Sequence, residues 1–121
     1  MRILVVDSNR VFARKVGDFL EQHLKKVEVD YATNVPILRR RLRVNDYDYI
    51  IADIFTAFDA KAMQEVLSDV DTPMLVWSIL KSPDRITNVF RDQLAKRVLP
   101  KPDDDAGIEA AVTSVMLQTV E

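Results

Sequence analysis

Two short, unbroken apolar runs, Ile3-Leu4-Val5-Val6 and Tyr49-Ile50-Ile51-Ala52, each end on an aspartate, Asp7 and Asp53. A continuous apolar run of this length is the pattern of a parallel strand covered by helices on both faces, because a strand with one wet face alternates instead. Asp7 taken alone reads equally as a turn or helix cap, whereas Asp53, closing a central apolar strand, needs a partner or a function. The rest of the chain must therefore supply covering helices. After Asp7, Phe12, Val16, Phe19, Leu20 and Leu24 recur at helical spacing, with Arg14, Lys15, Asp18 and Glu21 between them. Val27 to Ala32 then alternates like a strand. Thr33 or Asn34 suits a helix cap, Pro36 fits the first turn, and Val35, Leu38 and Leu42 give that helix its buried stripe.

The same rhythm continues beyond Asp53. Ala62, Met63, Val66, Leu67 and Val70 predict a helix over Asp59 to Val70, and Thr72-Pro73 precedes a strand from Met74 to Trp77 that ends at Ser78. Ser82-Pro83-Asp84 reads as a helix start, Arg97 to Leu99 as a last short strand, and Asp103-Asp104-Asp105 as the opening of a final helix through about Thr119. Five strands alternating with five helices predict an α/β fold, a doubly wound five-stranded parallel sheet whose ligands bind beyond the carboxyl ends of the strands. With 121 residues, 48% of them hydrophobic and 30% charged, a single domain spanning residues 1–121 is expected.

Composition narrows the chemistry. The chain has no cysteine, so disulfides, thiolate metal sites and cysteine nucleophiles are excluded. Gly17 and Gly107 are its only glycines, too few for a glycine-rich phosphate loop. A formal net charge of -2 offers no general attraction to nucleic acid or anionic lipid, and neither partner is expected. The apolar run before Asp7 is far too short for a signal sequence or a membrane span, which predicts a soluble cytoplasmic protein. Arg39-Arg40-Arg41 and Arg43 flank the stripe residues Leu38 and Leu42, as on a solvated helix face. His23 has no catalytic or metal-binding company in sequence and reads as a boundary residue.

In the expected fold the ends of strands one, three, four and five bring Asp7, Asp53, Ser78 and Lys101 to one rim. Two carboxylates offer hard oxygen ligands to a magnesium ion that keeps several waters, and one of them can attack phosphorus to give an acyl phosphate. Lys101 would neutralise phosphoryl oxygens and the Ser78 hydroxyl would donate to one, so its position can report whether phosphate is present.

Ile3-Leu4-Val5-Val6-Asp7, the apolar strand into Asp53, the strand into Ser78, and Lys101-Pro102 together resemble the motifs of response-regulator receiver domains, over nearly the whole chain. The resemblance implies a flavodoxin/CheY-like (βα)5 fold and a stand-alone phosphoacceptor switch in a two-component phosphorelay. It implies Asp53 as acceptor, Mg2+ ligation by Asp7, Asp53 and the Phe55 backbone carbonyl, phosphoryl contacts from Ser78 and Lys101, and a cis Lys101–Pro102 bond. It also implies a histidine kinase or histidine phosphotransfer protein as donor. A downstream protein target of unknown identity would bind a surface that includes Arg85, Asn88, Arg91 and Asp92. The chain would be an acceptor and not an enzyme.

Four departures qualify that resemblance. Ser8 stands where receivers usually carry a second acid, so any contribution of Ser8 to the metal would be weak or through water, and Mg2+ affinity should fall. The loop Ile54-Phe55-Thr56-Ala57-Phe58-Asp59 lacks the usual proline and glycine. Ile79 is bulky where a small residue opens the way to the acceptor, and Val98 replaces the aromatic residue that often follows the switch. Trp77, Phe55 and Phe58 read as packing residues, with the two phenylalanines alternatively as anchors for a partner. The departures keep a second reading open, a pseudo-receiver that binds its partner without phosphorylation. A small phosphohydrolase ranks last, because neither Phe55 nor Thr56 supplies a general acid.

Overall fold

The computed structural model describes residues 1–53, 60–78 and 96–120. Strands β1 (Arg2–Val6), β2 (Glu28–Ala32), β3 (Tyr49–Asp53), β4 (Met74–Ser78) and β5 (Lys96–Pro100) form one parallel sheet in the order β2-β1-β3-β4-β5. Helices α1 (Arg10–His23), α2 (Val35–Val44), α3 (Ala60–Ser68) and α4 (Asp105–Val120) cover it. The α/β class, the strand count and the parallel topology match the sequence reading. Among the described residues there are four helices. The helix expected from Ser82, with Arg85, Asn88, Arg91 and Asp92, lies outside the described residues.

Strand parity sorts the core into two layers. Ile3, Val5, Tyr49, Ile51, Leu75 and Trp77 face the side covered by Ala13, Val16 and Leu20 of α1 and Ile108, Ala111 and Val112 of α4. Leu4, Val6, Ile50, Ala52, Met74 and Val76 face the other side, under Val35 and Leu38 of α2 and Met63 and Leu67 of α3. All five residues of β3 are buried, which is why its sequence shows no polar alternation. Continuing the count past each strand puts Asp7 and Asp53 on the α1–α4 side of the sheet.

Side chains cap the starts of three helices, two of them at the positions that the sequence suggested. Asn9 accepts from the Phe12 N–H, Asn34 from the Ile37 N–H and Asp104 from the Gly107 N–H, each satisfying a donor that the first helical turn leaves unpaired. Gly17 is required by packing. A Cβ there would overlap the Tyr31 hydroxyl and lie 2.8 Å from Tyr31 Cζ. At the opposite end of the sheet, Arg2 bonds to Glu28 and Asn45, and Asp48 accepts from the Arg2 N–H at 2.8 Å, which ties β1 to β2 and β3.

The arginines of α2 divide. Arg39, Arg40 and Arg43 are exposed, whereas Arg41 donates to the Tyr31 carbonyl and lies 4.0 Å from Asp30. His23 is exposed and stacks on Phe19.

Candidate functional site

Three of the residues singled out in the sequence meet at the carboxyl ends of the strands. Lys101 Nζ donates to Asp53 Oδ2 at 2.6 Å and to Asp7 Oδ2 at 3.1 Å. Asp7 is delivered by β1 and Asp53 by β3, adjacent central strands whose register pairs Val6 with Ala52. Lys101 arrives from the turn after β5, 48 residues beyond Asp53. The two aspartates are 1% exposed, and they are the only buried charged residues among those described. The Lys101 side chain is 16% exposed.

The backbone holds this cluster in place. The Asp7 N–H continues the β1–β2 ladder to the Ala32 carbonyl at 3.0 Å, and Asp7 Oδ1 accepts from the Asn9 N–H at 2.8 Å. Asn9 then caps α1, so the strand, the acid and the helix start are one rigid turn. Asp53 pairs in register with Trp77, which is 2% exposed. Ser78 closes β4 in register with Pro100, so its backbone stands at the same rim.

Burial dominates the electrostatics of Asp7 and raises its carboxyl above the ordinary value, against the Asn9 hydrogen bond and the Lys101 charge, which pull it down. Burial disfavours the Lys101 ammonium, but the hydrogen bond to Asp53 and the charges of Asp7 and Asp53 outweigh it, so Lys101 titrates above its ordinary value. One ammonium thus faces two carboxylates. With all three ionised the cluster is left with a net negative charge, an arrangement that favours a further cation or a protonated acid.

That donor set fits a hard divalent ion. Asp7 and Asp53 supply oxygen ligands, and among the described residues no third acid or histidine joins them. Magnesium retains several waters and is commonly held by one or two carboxylates, so a pair is enough in kind. Ser8 is exposed. Phe55 and Ile79 lie outside the described residues, and the Lys101–Pro102 peptide is trans, correcting the cis bond implied by the resemblance.

One contact had no signal in the sequence. Lys101 Nζ sits 4.4 Å from the centroid of the Phe12 ring, and Phe12 meets Trp77 edge-on at 6.1 Å. Phe12 was legible as part of the α1 stripe, but 89 residues separate it from Lys101, and only the folded parity of β5 and α1 brings them together.

Fold and site geometry together define a receiver-type α/β domain with an acidic pair and a lysine at the carboxyl rim. Solved structures give that class its known members. The chain is similar to a Francisella response-regulator receiver domain, at 19% identity over 98% of both chains and a TM-score of 0.73. It is similar to a two-component response regulator from Clostridium difficile at 20% identity, covering 100% of this chain and 99% of that one, with a TM-score of 0.74. A Burkholderia pseudomallei response regulator, solved with a phosphorylated aspartic acid, a calcium ion and citrate, is 23% identical over 98% of this chain and 72% of its own, with a TM-score of 0.72. No protein-family model matches the sequence, and no curated protein matches it. The chain has the response-regulator receiver fold.

Proposed function

We propose that the protein is a phosphoacceptor switch of a two-component pathway, with Asp53 as the acceptor. The observation that carries this reading is the buried Asp53 carboxylate, held by Lys101 at 2.6 Å with Asp7 on the same ammonium. An Asp53 carboxylate oxygen attacks the phosphorus of a phosphohistidine on a kinase or phosphotransfer protein. The P–N bond breaks, its electron pair stays on the imidazole, and an acyl phosphate forms on Asp53. Lys101 leaves Asp7 to share the new phosphoryl oxygens with Asp53, and Ser78 donates to one of them. Asp7 and Asp53, with the Phe55 carbonyl and a weak or water-mediated contribution from Ser8, would hold the magnesium. When bound, Mg2+ neutralises charge on the transferring phosphoryl group. The phosphorylated neighbour from Burkholderia pseudomallei, with its calcium ion, supports the same chemistry on this fold.

The protein acts as an acceptor without turnover and changes its affinity for a downstream protein when phosphorylated. We assign it to the cytoplasm, in keeping with the absence, among the described residues, of any helix long and apolar enough to cross a membrane.

A titration with beryllium fluoride and Mg2+, followed by the emission of Trp77, tests the reading, because this fluoride mimics a bound phosphoryl group. A saturable change that requires Mg2+ and disappears in Asp53→Asn supports it. An identical response in Asp53→Asn removes Asp53 from the role.

A second reading has an observation of its own. Lys101 already bridges both carboxylates, which partly satisfies the site with no ligand, and Ser8 supplies no charge. Under that reading the protein binds its partner unphosphorylated, and the titration gives no response at any fluoride concentration.

A further inference from the structure

We infer that Phe12 is a positioning residue for Lys101: its ring face holds the ammonium between Asp7 and Asp53, and its T-shaped contact with Trp77 passes the position of that ammonium to the indole. This rests on the reading of Asp53 as acceptor only for its kinetic consequence, and not for the clamp itself.

An ammonium has three N–H directions. Two are used on Asp53 Oδ2 at 2.6 Å and Asp7 Oδ2 at 3.1 Å. With the Lys101 side chain only 16% exposed, little water is left to take the third side, and the Phe12 ring occupies that side at 4.4 Å from its centroid. A cation over an aromatic face at this distance is attracted by the ring quadrupole, and more strongly where water is excluded. An aliphatic side chain of similar size would fill the space without that attraction.

The placement follows from the fold. Asp7, Asp53 and Trp77 share the α1–α4 side of the sheet, and Asn9 starts α1 so that its first turn carries Phe12 over the same rim. Phe12 then meets the Trp77 ring at an interplanar angle of 83° and 6.1 Å between centroids, an edge-to-face contact. Trp77 is 2% exposed, its indole N–H finds no hydrogen-bond partner, and it pairs in register with Asp53. Packing alone therefore positions the indole, and a displacement of Phe12 reaches it directly. Val98 supplies no aromatic side chain on β5, and among the described residues Phe12 is the aromatic ring over Lys101, with Trp77 against Phe12.

The test uses the full chain, with proton NMR of the lysine side chains and a rate measurement. In the wild type without any phosphodonor, the Lys101 ε-methylene protons should be shifted upfield of the other lysines by the ring current and show an Overhauser contact to the Phe12 ring. Absence of both overturns the clamp, whatever the fate of Asp53 phosphorylation. In Phe12→Leu the upfield shift should be lost, and Phe12→Tyr, which keeps the ring, should restore it. With a small phosphodonor and Mg2+, Phe12→Leu should form the Asp53 adduct roughly 2- to 30-fold more slowly, the range a cation–π contact spans, with Phe12→Tyr close to wild type. Equal rates in folded Phe12→Leu and wild type would reject the positioning role. If the wild type itself forms no adduct, the acceptor reading fails while the NMR result still decides the clamp. Should Phe12→Leu not fold, Phe12→Tyr and the wild-type spectrum carry the decision.

Discussion

Burial raises the Asp7 carboxyl above its ordinary 3.8, and the Asn9 N–H and the Lys101 ammonium offset this only in part. The folded protein consequently holds a proton on Asp7 at pH values where the unfolded chain has released it. The contribution of Asp7 to stability falls as pH rises from 3.8 to its higher folded value, and stays low above that. Asp7→Asn removes the cost. Thermal melts at pH 7 should show a gain of about 1 kcal/mol, a midpoint roughly 3–6 °C higher, with the gain fading as pH falls from the raised folded value and gone below 3.8. The same substitution should weaken the Mg2+ dependence of any phosphoryl chemistry. Lys101 runs the other way. Its raised value means that its stabilisation is complete below 10.5 and is lost as pH rises through the folded value. Lys101→Met removes the shared ammonium from two carboxylates, each 1% exposed, and should cost about 3–5 kcal/mol at pH 7 by chemical denaturation. Combining it with Asp7→Asn should recover part of that loss, because the two residues share one ion pair.

At the scale of elements, the strands were easier to read than their partners. β1 and β3 announced themselves because central parallel strands are apolar on both faces, and the acids that follow them are conspicuous for the same reason. The α2 cap was also visible as Thr33 or Asn34, and the structure selects Asn34, whereas the Asn9 cap of α1 was not singled out. β5 is less legible. It runs from Lys96 to Pro100 and was expected only over Arg97 to Leu99, since a strand begun by two basic residues carries no apolar run. The close approach of Gly17 on α1 to Tyr31 on β2 left no trace in the local pattern, because a small residue in a helix stripe has many explanations. It makes a sharp prediction. Gly17→Ala should destabilise by about 1–2 kcal/mol in urea despite the better helix propensity of alanine, because the Tyr31 ring must shift. Tyr31→Phe should be near neutral alone, since its buried hydroxyl has no hydrogen-bond partner, and should relieve part of the Gly17→Ala cost. Additive costs in the double variant would disprove that contact.

For the whole molecule, the order β2-β1-β3-β4-β5 turns a one-dimensional list of strand-end residues into a site. Alternation of strands and helices was enough to infer that rim, and enough to nominate Asp7, Asp53 and Lys101, which the fold joins by hydrogen bonds from Lys101 to both acids. The sequence was silent on how they would neutralise one another, because one lysine shared by two buried acids depends on distances that no spacing encodes. It was equally silent on Phe12, whose role depends on the angle at which α1 leaves β1. Under the proposed function this lysine-bridged acidic cluster still accepts a phosphoryl group on Asp53. Intact-mass analysis after incubation with a small phosphodonor or a phosphorylated histidine partner and Mg2+ tests it most directly. The wild type should gain one phosphoryl adduct that hydroxylamine removes and that Asp53→Asn does not form. An adduct of the same yield on Asp53→Asn, or none from any donor with the wild type, would contradict it.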